Sequence, residues 1–228
     1  MSYCYGIEAI NNLGNPAALI GHSLGEYTAL CLSGYLDYKD ALKVIAVRGE
    51  EMHKAVENSN TTMAAVLTGD LEATIEEIEK LNNQGIQIWI SNFNDPSQIV
   101  ISSYIDDMNY LKSNPKALGA KRVIPLEVAG AFHTEIVSSA KKPLEDTLNS
   151  IDISEGKIPV YMNVDAKKVE VSTLKESLVN QIDNSVLFNQ QIEFVNNDID
   201  PDLWCHIGPG NVTAGMVRKS ISYKDLKV

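Results

Sequence analysis

The chain has 228 residues, 44% of them apolar and 21% charged, ordinary values for a globular protein with room for one large core or for a large domain carrying a small insertion. A net charge of -11 argues against nucleic acid as a partner, because phosphate binding needs a basic surface, and leaves any anionic partner to a local basic patch. No apolar run approaches the length of a membrane span, the opening residues do not read as a signal peptide, and Cys4, Cys31 and Cys205 are too few and too scattered for a disulfide framework or a zinc site, so a reducing cytoplasm is the simplest compartment.

Residues 1–13 place Tyr3, Ile7, Ile10 and Leu13 at three- and four-residue spacing, the pattern of an amphipathic helix. The next stretch, PAALIGHSLGEYTAL at 16–30, organises the rest. A short apolar run (17–20) reads as a buried strand, a helix-forming run follows from Glu26, and Gly21-His22-Ser23-Leu24-Gly25 lies between them. This G-x-S-x-G spacing is that of a nucleophile elbow, in which glycines on both sides let strand and helix crowd together and the serine hydroxyl is thrust out of a strained turn. The backbone N–H of Leu24, at the positive end of the new helix, then lies where a tetrahedral oxyanion would form. The alternative is a glycine-punctuated turn in which Ser23 merely caps the helix.

Gly34 breaks that helix and a second one spans 37–57, with an apolar stripe of Ala41, Val44, Ile45, Met52, Ala55 and Val56. Arg48 falls inside the stripe. A guanidinium on an apolar face needs an anion or must snorkel to the edge, so Arg48 meets either an internal ion-pair partner or a ligand carboxylate. From residue 60 to 127 the pattern becomes strand, helix, strand, strand, helix, strand, the order of a ferredoxin-like unit inserted into an α/β chain. Small residues at 128–131 then lead through Phe132 and His133 into a helix beginning near Thr134. His133 is therefore a candidate base, although a lone histidine is commonly structural; His22 packs beside the elbow, His53 reads as solvated and His206 as a loop residue. Beyond it, strands are predicted at 158–163 and 203–207, helices at 174–181, 184–195 and 212–219, and a tight turn at Gly208-Pro209-Gly210.

Taken together, GHSLGEYTAL, VRGEEM, SNFNDPSQIVIS, GAFH, LVNQIDNSV and IGPGNVTAGM resemble, in their order, the malonyl-CoA:acyl carrier protein transacylases and the acyltransferase domains of polyketide and fatty acid synthases. The resemblance implies an α/β-hydrolase-like core with a parallel sheet, formed by residues 1–59 and 128–228, and a ferredoxin-like small domain at 60–127. It makes Ser23 the acylated nucleophile, His133 its base, the backbone carbonyl of Gln181 the group that orients His133, and Leu24 an oxyanion donor. Arg48 would grip the free carboxylate of the malonyl group, with His22 and Phe132 lining the acyl site. A phenyl ring at 132 leaves no room for a methyl branch, which favours malonyl over methylmalonyl. No metal and no cofactor are implied beyond the substrate malonyl-CoA; the partner is acyl carrier protein, with neither nucleic acid nor membrane involved. That partner is itself acidic in the family, so Lys116, Lys121, Arg122, Lys141 and Lys142 are candidate docking residues.

The sequence departs from the family at its opening segment, at Asn184-Ser185, where the family has a proline after the asparagine, and at Phe188. The family's opening apolar strand, ending in Gly-Gln-Gly-Ser-Gln and supplying the second oxyanion donor, has no counterpart here. Loss of one such donor costs on the order of a hundredfold or more in rate, so the isolated chain is expected to be poorly soluble and nearly inactive. Phe188 also stands where a tryptophan is common. Two other readings share these residues: a serine acyl hydrolase that clears stalled carrier proteins, and an inactive subunit that only docks the carrier.

Overall fold

The structure is a computed structural model, in which residues 1–221 and the backbone of 226–227 are described. Helix α1 (Ser2–Leu13) is followed by strand β1 (Leu19–Ile20), helix α2 (Leu24–Ser33) and helix α3 (Tyr38–Val56). Asp37 starts α3 by accepting hydrogen bonds from the N–H groups of Lys39 and Asp40, and Gly34 ends α2 in the left-handed conformation, so both predicted boundaries have a local cause. The stripe predicted on α1 is less buried than its periodicity suggests: Ile7 and Leu13 are exposed. The residue it buries is Gly6, where a Cβ would run into Leu32, so α1 approaches α2 through a missing side chain rather than through an apolar ridge.

The middle of the chain forms an antiparallel sheet in the order β3-β4-β2-β5, from β2 (Thr61–Leu67), β3 (Ile88–Asp95), β4 (Gln98–Tyr104) and β5 (Arg122–Pro125). Helices α4 (Leu71–Asn83) and α5 (Ile105–Ser113) bury Ile78, Leu81, Met108 and Leu111 against Val66, Ile99 and Ile101 of that sheet. β3 and β4 also carry Ser91 and Ser102, fully buried and hydrogen-bonded to each other at 2.6 Å. A separate apolar cluster joins α2 and α3 to α6 (Lys141–Asn149) and α7 (Leu174–Asn180), with Leu30, Val44, Leu144 and Leu178 at its centre.

β1 pairs in parallel with β6 (Val160–Tyr161), Leu19 opposite Val160 and Ile20 opposite Tyr161. Both strands are shorter than the apolar runs predict, and β1 is half-buried rather than buried. Among the described residues no strand pairs with its other edge. That edge faces an apolar groove of about 480 Å³, lined in part by Ile10, Leu13, Leu32, Trp204 and Val217.

The helix predicted at 184–195 is α8 (Phe188–Ile199). Its first residues are diverted because Val186 forms a parallel bridge to Asn92, exchanging backbone hydrogen bonds of 2.9 Å with Ser91 and Phe93, while the Ser185 hydroxyl donates to the Ile90 carbonyl. This extended segment fastens the β3 edge to the rest of the molecule. Strand β7 (Trp204–Cys205), again shorter than predicted, pairs in parallel with β8 (Leu226–Lys227), and α9 (Val212–Ser220) reaches β3 through the Lys219–Asp95 pair at 3.1 Å. Residues 222–225 and 228, at the end of the predicted core, lie outside the described residues.

Candidate active site

Because β1 ends at Ile20 and α2 begins at Leu24, the chain must reverse within three residues. Gly21 is required for this, since a Cβ there would run into the backbone of Gly25 and Glu26. Gly25 is not, since a Cβ there would meet nothing; only the first of the two motif glycines holds strand and helix together, contrary to the expectation that both do. Ser23 adopts φ 51° and ψ -106°, a conformation that costs a non-glycine residue on the order of 1–3 kcal/mol and persists only where the surroundings enforce it. Its side chain makes no capping bond to α2, which disposes of the simple N-cap alternative.

The Ser23 Oγ instead lies 2.7 Å from His133 Nε2. His133 stands in the loop after β5, also at positive φ, and its Nδ1 lies 2.8 Å from the backbone carbonyl of Gln181 at the end of α7. A carbonyl can only accept, so Nδ1 carries the proton and Nε2 is left as an acceptor for the serine O–H. Burial above all, and the neighbouring Arg48 cation after it, push the His133 imidazole from its ordinary range down to about 3. The ring is therefore neutral throughout the physiological range, with its Nε2 lone pair directed at the serine hydroxyl.

Arg48 completes the group. It lies midway along α3 between Val44 and Met52, is 7% exposed, and donates from Nη2 to Ser23 Oγ at 2.9 Å and to the Gln181 side-chain oxygen at 3.0 Å. The Tyr27 ring lies 5.7 Å from its Cζ, a cation–π contact. No carboxylate of the described residues is within ion-pair distance of it, and its Nε has no hydrogen-bond partner among them. Of the two partners open to Arg48 from sequence, the internal ion pair is not formed. A buried guanidinium is expensive without an anion.

Three polar contributors escaped the sequence reading. Glu26 and Asn163 are fully buried, as is the side chain of Gln181, of which only the backbone was anticipated. Burial raises the Glu26 carboxyl to about 8, opposed by hydrogen bonds from the Asn163 N–H and the Gln181 amide and by Arg48. The available signal for Glu26 was an acid in the first turn of an otherwise apolar helix; Asn163 follows the apolar run of β6 with nothing in its neighbourhood to mark it.

The remaining candidates are placed as follows. His22 turns away from the hydroxyl, its Nε2 2.9 Å from Asn94 Oδ1 on β3 and its ring edge-on to Phe188 at 5.2 Å. Phe132 is half-buried and packs on the cluster of α2 and α3, beside His133 in the chain. Leu24 has an exposed side chain and, as the first residue of α2, an N–H with no partner inside its own helix. A cleft of about 470 Å³ opens on His133, lined also by Trp89, Ile90, Glu135, Asp183 and Ser185. Of the five basic residues grouped in sequence, Lys141 is paired with Asp183 and Lys142 with Glu145 and Asp146; only Lys116, Lys121 and Arg122 are exposed and outside those pairs.

The acyl transferase domain family matches residues 4–226. The chain is 38% identical over 205 residues to the malonyl CoA-acyl carrier protein transacylase of Bacillus subtilis (strain 168), covering 90% of this chain and 64% of that protein. It is 34% identical over 214 residues to the protein of the same name from Staphylococcus aureus (strain MRSA252), covering 93% and 69%. The fold is that of solved malonyl-transacylases: one, in complex with a type II PKS acyl-carrier protein, superposes with a TM-score of 0.90 at 29% identity, over 99% of this chain and 73% of that one.

Proposed function

The chain belongs to the acyl transferase domain family, and from that premise we propose that it moves a malonyl group from malonyl-CoA to the phosphopantetheine thiol of acyl carrier protein through an ester on Ser23. The observation that carries this reading is Arg48, a buried cation without a counter-ion among the described residues, 2.9 Å from the serine hydroxyl. Malonyl-CoA is a thioester whose acyl group carries a carboxylate at its far end, and the pair Ser23–Arg48 offers one group to each end.

In the first half-reaction, Ser23 Oγ attacks the thioester carbonyl while its proton passes to His133 Nε2. The Gln181 carbonyl steadies the imidazolium that forms. The Leu24 N–H and the start of α2 face the developing oxyanion. Collapse breaks the C–S bond, and His133 returns the proton to the departing thiolate. The second half-reaction repeats these steps with the carrier thiol as nucleophile and Ser23 as leaving group. Arg48 can donate two parallel hydrogen bonds to the malonyl carboxylate once Nη2 leaves Ser23 Oγ, holding the ester in one pose between half-reactions. The cleft beside His133 is the route proposed for the pantetheine arm.

The same proposal takes residues 1–59 and 128–228 as an α/β-hydrolase-like core and 60–127 as a ferredoxin-like insertion. The parallel β1–β6 pair followed by the elbow supports the first; the strand order β3-β4-β2-β5 with its own apolar cluster supports the second. No helix among the described residues is long and apolar enough to cross a membrane, and a cytoplasmic setting fits thiol-dependent chemistry.

Intact-mass measurement after adding malonyl-CoA tests the function directly. The expected result is a single malonyl adduct, discharged on adding carrier protein bearing phosphopantetheine; no adduct, or one discharged as fast by water, would count against a transferase. The pH dependence tests the base. With His133 held near 3, kcat/KM for acylation is expected to stay flat between about pH 7 and pH 5, where an ordinary histidine would already have been protonated. A tenfold fall per pH unit beginning near 6.5 would show that the imidazole titrates normally.

A further inference from the structure

The backbone of Ser23 is held from below by a set of buried side chains that the acyl-transfer scheme does not use. Asn163 lies two residues past Tyr161, so it comes off the end of β6 directly beside the point where β1 runs into the elbow. Its side-chain amide spans that elbow: Oδ1 accepts from the Ser23 N–H at 2.7 Å, and Nδ2 donates to the Gly21 carbonyl at 2.7 Å. The backbone ladder between β1 and β6 stops at Ile20 and Tyr161, and the asparagine amide supplies the next donor and acceptor in place of a peptide group. Asn163 is in turn located by Glu26, whose Oε1 accepts from the Asn163 N–H, while Oε2 accepts from Gln181 Nε2. Gln181 Nε2 also donates to the Ser23 carbonyl at 3.1 Å, and Gln181 Oε1 accepts from Arg48.

We infer that Asn163 and Glu26 are positioning residues for the nucleophile: Asn163 clamps both peptide groups of the elbow so that Ser23 keeps its bent conformation and its hydroxyl stays on His133, and Glu26 acts through Asn163 and Gln181. The strained backbone at Ser23 would otherwise relax toward an extended conformation and carry Oγ away from Nε2. The clamp also occupies the Ser23 N–H, which removes it from the oxyanion donors and leaves that part to Leu24. Among the described residues the side chains that bond the Ser23 and Gly21 peptides come from separate parts of the chain, Asn163 from just past β6 and Gln181 from the end of α7, with Glu26 of α2 behind both.

This inference rests on Ser23 being the acylated nucleophile, so the test starts from acylation of the unaltered full chain by malonyl-CoA, followed by mass. If the unaltered chain takes no adduct, the functional reading fails, and the inference with it. If it does, Asn163→Ala is expected to lower the maximal acylation rate about 10- to 100-fold, because a displacement of about an ångström at the reacting atom has that effect, while KM for malonyl-CoA changes less than about threefold since Arg48 remains in place. Glu26→Gln, which turns an amide N–H₂ toward the Gln181 N–H₂, is expected to lower it about tenfold, and the double variant is expected to be little slower than Asn163→Ala alone, as befits groups acting through one another. Should Asn163→Ala fail to fold, Asn163→Asp carries the test: it keeps the volume and the acceptor for the Ser23 N–H but loses the donor to Gly21, and about a tenfold loss in maximal rate is expected. A folded variant at Asn163 that acylates as fast as the unaltered chain, or one whose loss lies wholly in KM, would overturn the assignment.

Discussion

Ser23→Ala is expected to abolish the malonyl adduct and to reduce transfer to carrier protein by about four orders of magnitude or more, the usual consequence of deleting a nucleophile. The loss should be chemical rather than structural. Ser23 is only partly buried, its hydroxyl hydrogen-bonds only His133 and Arg48 among the described residues, and its backbone bonds to Asn163 and Gln181 survive the substitution. An unchanged circular dichroism spectrum and a melting temperature within a few degrees should accompany the loss. His133→Ala alone should cost nearly as much, and the double variant hardly more than either single one, because hydroxyl and imidazole act as one proton-transfer unit. Strictly multiplicative effects would show that the 2.7 Å contact between them is not used in the reaction.

Arg48→Ala is expected to separate acyl groups by charge. Removing one partner of a buried, doubly hydrogen-bonded carboxylate pair costs about 3–5 kcal/mol, so acylation by malonyl-CoA should fall on the order of 100- to 1,000-fold or more. Acetyl-CoA presents no carboxylate for Arg48 to grip, so its slow acylation of Ser23 should be largely spared. The ratio of the two rates is thus the quantity to measure. Arg48→Lys should recover little, because an ammonium cannot reproduce two parallel donors. Equal losses for both thioesters would assign Arg48 to the Ser23 hydroxyl rather than to the substrate, and would revive the reading of a serine acyl hydrolase.

How far the site could be read in advance depended on whether its signals were local. The elbow announces itself in five adjacent residues, and the oddity of Arg48 is visible because a helical stripe has a period that a charge interrupts. The strand and helix order of residues 60–127 was legible for the same reason, since β2 through β5 and their helices each carry their own periodicity. Where pattern and structure part, a long-range contact has intervened. Residues 184–187 read as the start of a helix yet lie extended, because hydrogen bonds to Ser91 and Phe93 outcompete the helical ones. Ile7 and Leu13 read as a buried stripe, but α1 meets its neighbour through Gly6.

By itself the sequence determined which residues are the candidates for the chemistry, through the elbow, the misplaced arginine and the histidine after a run of small residues, because reactive groups on short motifs leave a local imprint; the fold brings these three together. Only the tertiary structure decided how they are held. Asn163 and Gln181 reach Ser23 across 140 and 158 residues of chain, and Glu26 reaches Asn163 across 137. Contacts closed over such distances have no periodicity to betray them; they exist because β6 lies beside β1 and α7 ends beneath α2, so that polar side chains cut off from water there must find one another.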